Sequence, residues 1–195
     1  MQLHDTPVLE NRHVRLEPLS LQHHDGLVEA AQDGELWRAW YTHIPEPSGM
    51  RAEIERRLSL QQTGTMAPWT IVDPTTGRAL GMTTYMNIDA PNRHVEIGST
   101  WAAASVQGTL VNPAMKHLLL SRAFDELDCI CVEFRTHWHN RQSRSAIEKL
   151  GAKQDGVLRN HQLMPGGGLR DTVVYSILPT EWPTVRSGLE HRLGM

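Results

Sequence analysis

Ser105–Leu120 reads SVQGTLVNPAMKHLLL, a loop centred on Gln107, Gly108 and Thr109 that runs into a row of leucines. Asn112 is a residue type that caps helices and Pro113 suits a first helical position, so the spacing predicts a helix beginning there. Leu118, Leu119, Leu120, Ala123, Phe124 and Leu127 supply its buried side. The polar pairs Lys116/His117, Ser121/Arg122 and Asp125/Glu126 recur about once per turn and supply the other. The loop has two readings. Either its N–H groups and the positive end of the helix hold an anion, or Gly108 simply makes a turn.

The flanks of this stretch decide the fold class. Upstream, Trp69–Val72, Ala79–Ile88 and Val95–Ala102 read as strands separated by the turns Asp73–Gly77 and Asp89–Asn92, which makes them antiparallel. Earlier still, Val14–Leu19 alternates like a strand and Leu21–Gln32 reads as a helix, with Gly34 after it. In Glu35–His43, Trp37, Trp40 and Tyr41 stand three and four residues apart and predict one face of a further helix. Pro45 and Pro47 break the chain, and Ser48 is placed to cap a helix that runs to about Gln62 and ends at Gly64. Downstream, Ile130, Val132 and Phe134 alternate with Cys131, Glu133 and Arg135 in a strand. Ser143–Leu150 reads as a helix stopped by Gly151, followed by strands at Gly156–Leu163 and Thr172–Leu178 joined through Pro165-Gly166-Gly167-Gly168, and a helix at Trp182–Leu193. A strand, a crossover helix and a second strand make one parallel pair; the rest of the sheet is antiparallel. The expected architecture is α/β (α+β), a mixed, mostly antiparallel sheet flanked by helices, in one domain over residues 1–195. Its ligand belongs at the end of the strand that feeds Gly108.

The composition narrows the function. A formal charge of −3 gives no footprint for general nucleic-acid binding, and no apolar run approaches the roughly 20 residues that span a bilayer. The N-terminal residues lack the apolar core of a signal peptide, and the two cysteines, Cys129 and Cys131, are too close along an extended strand to pair. Both observations fit reduced thiols and a cytoplasmic protein. No Cys-x-x-Cys spacing supports zinc, and no third ligand matches His137 and His139, so no metal is expected. No Gly-Lys-Ser/Thr follows the loop, which argues against a nucleotide triphosphatase.

Two stretches carry a family resemblance. Ser105–Asn112 resembles the pyrophosphate loop of the GCN5-related N-acetyltransferases, Q/R-x-x-G-x-G/A before a helix, with Gly108 on the first glycine, Ser105 on the Gln/Arg position and Leu110 on the second glycine. Asn140–Ala152, NRQSRSAIEKLGA, resembles the N-x-x-S-x-x-x-[IL]-E-K-x-G-[FA] signature of the ribosomal-protein N-terminal acetyltransferase (RimJ/RimL-like) branch. Val95-Glu96-Ile97-Gly98 and Arg15-Leu16-Glu17-Pro18-Leu19 are similar to that branch as well, so the likeness covers nearly the whole chain.

The resemblance implies an acetyl-CoA-dependent N-acetyltransferase. Gln107, Gly108, Thr109, Leu110, Val111 and Asn112 would cradle the pyrophosphate of coenzyme A. Backbone groups of Trp101, Ala102 and Ala103 would pair with the pantetheine amides, and one N–H there would polarise the thioester carbonyl. Asn140 would reach the pantetheine, Ser143 would donate to the leaving sulfur, and Glu96 would act as the base. Each also has a structural reading: Asn140 as a helix cap, Ser143 as a first-turn serine, Glu96 as a structural carboxylate. Trp37, Trp40 and Tyr41 lie where this family builds its acceptor cleft, or else in the core. The expected acceptor is a primary α-amine, because its pKa of about 7.7–8.0 asks less of a base than a lysine at about 10.4. It would belong to a peptide or protein N-terminus or to a small amino compound. The alternatives are an acetyltransferase for amino acids or antibiotics and a non-catalytic acyl-CoA-binding domain. Neither nucleic acid nor membrane is an expected partner, and a homodimer is left open.

Overall fold

The computed structural model describes residues 2–164 and 167–195. Pro165 and Gly166, in the expected connection between the last two strands, lie outside them.

The chain opens with a short hairpin, β1 (Leu9–Asn11) and β2 (Val14–Pro18), and then a 3-10 turn leads into α1 (His24–Gln32). The helix expected over Glu35–His43 does not form. Gly34 and Glu35 both hold positive φ, at 87° and 47°, and Ala39 is extended, so the helical segment shrinks to the 3-10 turn Leu36–Arg38. Next comes α2 (Met50–Gln62). Its cap position is Gly49 rather than Ser48, because Pro47–Gly49 makes its own turn first. Strands β3 (Met66–Val72), β4 (Ala79–Asp89) and β5 (His94–Ala102) follow as an antiparallel meander.

Helix α3 (Val111–Ser121) starts earlier than Asn112 implies. Leu110 occupies the cap position, and Asn112 and Pro113 fall inside the first turn, where the missing proline N–H costs no intrahelical bond. A π-helical turn, Arg122–Glu126, ends it. Then come β6 (Cys131–His137), α4 (Arg141–Glu148), β7 (Lys153–Leu163), β8 (Leu169–Ile177) and α5 (Trp182–Leu193). Ile130 stands just outside β6 and is exposed rather than part of its apolar face.

Among the described residues the strands form one sheet in the order β1-β2-β3-β4-β5-β6-β8-β7. Only β5 and β6 run parallel, as the crossover through α3 requires. One face packs Val95, Ile97, Val132, Phe134, Val173 and Tyr175 with Met115, Leu119, Leu120, Val185 and Leu189 of α3 and α5. On the other face, α1 and α2 bring Leu27, Ala31, Met50 and Ile54 onto Met82 and Trp101. Burying several such side chains, at roughly 1.5–3 kcal/mol each, fixes both helix layers against the sheet. No helix among the described residues is long and apolar enough to cross a membrane.

Candidate active site

Strands β5 and β6 pair only from His94/Cys131 to Glu96/Glu133; beyond that, β5 runs on to Ala102 and β6 to His137 without further pairing. The separation has a local cause. Ser99 holds φ 46°, and the register with β4 slips between Met82 and Thr84, which marks a bulge in β5. Arg57 of α2 buttresses this bulge. Its side chain is fully buried; Nη2 donates to the Ser99 carbonyl at 3.1 Å and Nε donates to Glu53 at 2.7 Å. Burial opposes the charge on Glu53, but Arg56 and Arg57 overcome it and hold the carboxyl at about 2, so the ion pair that supports the bulge is permanent at neutral pH.

The far end of β5 offers a free backbone edge. The Ala103 N–H donates to the Leu80 carbonyl, and Trp101 lies opposite Met82, so both of these residues point their backbone at β4. Alternation therefore turns the backbone N–H and C=O of Ala102 into the gap. The Ala102 carbonyl accepts from the Gln107 side chain at 3.0 Å, and Gln107 in turn accepts from Gln142 of α4 at 3.1 Å. A chain of two amides thus bridges the mouth of the gap.

Gly108 has φ 77°, the left-handed conformation that glycine adopts at little cost, and nothing lies within 4 Å of where a Cβ would stand. Leu110, in the place of the family's second glycine, has φ −76° and needs no such freedom. The Val111 N–H is met by Thr109 Oγ1 at 3.3 Å. The N–H groups of Gly108, Leu110 and Asn112 have no partner among the described residues and open to solvent at the positive end of α3. This is the geometry that the anion-holding reading of Ser105–Leu120 requires.

Asn140 caps α4 as its type suggests, with Oδ1 accepting the Ser143 N–H at 3.0 Å. Its side-chain N–H groups remain available, and the half-buried Ser143 hydroxyl bonds to no other described residue. Glu96 is 5% exposed. Asn87 donates to its Oε2 at 2.7 Å and Arg135 stands 3.6 Å from the same oxygen. Burial pushes its carboxyl up against these two partners, which suits a group that must take a proton. A Cβ at Gly98 would meet Glu96 Oε1 at 2.9 Å, so the glycine two residues along makes room for the carboxylate.

The three aromatic candidates part company once their helix is lost. Trp37 packs against the α1/α2 core. Trp40 swings to β6, its ring 5.3 Å from His137 and 5.7 Å from His139, and meets Tyr41 edge-on at 5.6 Å. Sequence reasoning missed Arg135 and Arg170 as neighbours of Glu96 and His137 as a buried polar group on the same face, and it placed Lys116 on a solvent face although it is buried. Counting alternation through β6 and β8 from Glu133 is the signal that finds the first three.

The acetyltransferase (GNAT) domain family matches residues 13–153. The chain belongs to that family. A GCN5-related N-acetyltransferase from Brucella melitensis is 30% identical in a solved structure covering 96% of this chain and 85% of that one, with a TM-score of 0.84. YdaF of Bacillus subtilis (strain 168), provisionally named a ribosomal N-acetyltransferase, is 34% identical over 106 residues, 54% of this chain. That match spans little more than half the relative's length, 57% of it. Mycobacterium smegmatis RimJ, solved in complex with CoA-disulfide, shares the fold at a TM-score of 0.83 with 17% identity, over 100% of this chain and 98% of that one. The GNAT fold accounts for the parallel pair, its splay and the helix that opens at Gly108.

Proposed function

We propose that the protein transfers an acetyl group from acetyl-CoA to a primary α-amine, that of a peptide or protein N-terminus or of a small amino compound, in the cytoplasm. The observation that carries this reading is the splay of β5 from β6, with the unpartnered N–H groups of Gly108, Leu110 and Asn112 at one end and buried Glu96 at its apex. The free N–H groups and the α3 dipole suit a pyrophosphate. The outward backbone of Ala102 suits a pantetheine amide, with the Gln107 side chain displaced from its carbonyl. The Asn140 side-chain N–H groups suit a second contact on the pantetheine. The name of YdaF, a ribosomal N-acetyltransferase, supports an amine of a ribosomal component as acceptor.

In the transfer, Glu96 takes a proton from the incoming ammonium, directly or through water. The nitrogen lone pair bonds to the thioester carbonyl carbon and the carbon–sulfur bond breaks. The Ser143 hydroxyl donates a hydrogen bond to the departing sulfur, which takes up the amine's second proton. Holding the two reactants together supplies much of the rate. Asn87 and Arg135 keep Glu96 in place, and the Arg57–Glu53 pair keeps the bulge in place beside it.

The test is to add acetyl-CoA and a panel of amines to the full chain and follow thiol release together with the mass of the acceptor. A gain of one acetyl group on an α-amine, with equimolar thiol, is the expected result. Tight binding of acetyl-CoA with no thiol release for any amine would instead make this a binding domain.

A further inference from the structure

The face of the splayed sheet that carries Glu96 holds more than a base. Register places Glu133 beside Glu96, Thr172 opposite His137 and Val174 opposite Arg135, and opposed residues point to the same side. Arg170, two residues before Thr172 on β8, shares that side. It is the side away from α3, because the intervening Val132, Phe134, Val173 and Tyr175 fill the α3/α5 core.

Two side chains on this face keep donors that meet no acceptor among the described residues. His137 is 3% exposed. Its Nδ1 accepts the backbone N–H of His139 at 3.0 Å, so the neutral ring carries its hydrogen on Nε2, and that atom is buried without a partner. Burial, with the charge of Arg170 behind it, depresses the pKa of His137 and keeps the ring neutral. Arg170 is half-buried. Its Nε donates to Thr172 Oγ1 at 2.9 Å, while its two terminal nitrogens bond to no described residue. Its charge reaches both Glu96 and His137. Arg135, by contrast, is already occupied, 2.8 Å from Glu133 and 3.6 Å from Glu96. The face therefore holds a guanidinium fork with no protein partner among the described residues and a buried imidazole N–H with none, next to the carboxylate that receives the amine. A backbone carbonyl would satisfy the imidazole alone; a carboxylate satisfies both, because its two oxygens match the fork. Trp40, packed against His137 and 65% exposed, stands at the entrance to this patch.

We propose that Arg170 and the Nε2–H of His137 form a carboxylate subsite beside Glu96, so that the acceptor is an amino compound carrying a carboxylate a few bonds from its amine. The inference rests on reading this face as the acceptor side of an acetyltransferase. Two sources share the chemistry: the side chain of an acidic first residue in a peptide, and the α-carboxylate of a free amino acid.

The experiment uses two matched pairs on the full chain with acetyl-CoA. One pair is a C-terminally amidated tripeptide beginning with aspartate and its asparagine counterpart; the other is alanine and alaninamide. In at least one pair the carboxylate compound has the higher kcat/KM, by about ten- to a hundredfold, the loss expected when a charge-assisted hydrogen bond is removed. Arg170→Gln brings that ratio close to one. His137→Phe lowers it, and His137→Gln, which keeps an N–H donor at a similar reach, preserves most of it. The pair that responds identifies the source. Calorimetric titration of the same four compounds onto the CoA-bound protein reads the preference without turnover. Equal values within both pairs, or a preference untouched by Arg170→Gln, overturns the subsite and leaves acetyl transfer standing. Carboxylate-dependent binding that Arg170→Gln abolishes, with no thiol release for any amine, supports the subsite and overturns the transfer.

Discussion

Lys116 sits inside the molecule, 6% exposed, on the first turns of α3. Its Nζ lies 5.3 Å from the centroid of the Phe134 ring, and no carboxylate touches it among the described residues. Burial depresses it to about 7, and the charge of Glu96, which Asn87 and Arg135 already hold, offsets only part of that. A lysine that titrates near 7 instead of near 10.4 has lost on the order of 4–5 kcal/mol of preference for its ammonium. Between those two values the unfolded chain holds a proton that the folded protein does not, so stability rises as pH climbs from about 7 towards 10.4. Lys116→Met keeps the length of the side chain and removes the charge. Relaxation and water entry around a buried charge reduce what is recovered to a part of that figure. We expect a gain of about 2–3 kcal/mol at pH 7, a shift of about 1 M in the urea midpoint. The gain should shrink steadily towards pH 10, where the folded protein holds the lysine neutral and the unfolded chain has begun to lose the same proton. Urea titrations of both proteins at pH 7, 8.5 and 10, followed by circular dichroism, measure this. A variant less stable than wild type at pH 7, or a difference that does not change with pH, would refute the argument and mean that Lys116 is held as an ammonium by its surroundings.

The remaining predictions concern the site. Gly108→Asp places a carboxylate and a Cβ at φ 77° beside the free N–H groups, and it should weaken CoA binding at least tenfold by calorimetry; unchanged affinity would misplace the pyrophosphate. Glu96→Gln should lower the rate most below about pH 8, where the α-amine still carries its proton, and least at alkaline pH, because the buried carboxylate is the group that removes that proton. A mutant-to-wild-type ratio that stays flat across pH would end its assignment as base. Ser143→Ala should reduce kcat by about tenfold or more while leaving the dissociation constant of acetyl-CoA nearly unchanged, since its partner charge exists mainly as the thioester breaks.

What the sequence made legible followed from local chemistry. The antiparallel meander was readable because Asp73–Gly77 and Asp89–Asn92 are strong turn formers, and the terminal helix Trp182–Leu193 stands where its pattern put it. The helix expected from Ser143 starts at Arg141, and Asn140 fills the alternative role its type offered, a cap whose short side chain reaches the Ser143 N–H. The misreadings are tertiary in origin. Trp37, Trp40 and Tyr41 have helical spacing, but the left-handed Glu35 and extended Ala39 stop the helix, and Trp37 joins the α1/α2 core while Trp40 meets His137 and His139 instead. Lys116 and Arg122 follow a polar rhythm along α3 and its π-helical extension, yet both are buried, Lys116 over the Phe134 ring of β6 and Arg122 where it donates to the Asp5 carbonyl of the N-terminal segment. In the site, Gly108 and Glu96 were visible as residue types at meaningful places. Alternation puts Arg135 and His137 on one face of β6 and Arg170 on one face of β8, but that these faces meet Glu96's side of β5 depends on the register of the three strands, which no local pattern encodes.

The most direct measurement of the central claim is the rate of thiol release from acetyl-CoA with two otherwise identical peptides, one with a free N-terminus and no lysine, the other N-blocked and carrying a lysine. The account predicts clear turnover of the first, with the acetyl group found on its α-amine, and little with the second. Faster turnover of the blocked, lysine-bearing peptide would contradict it.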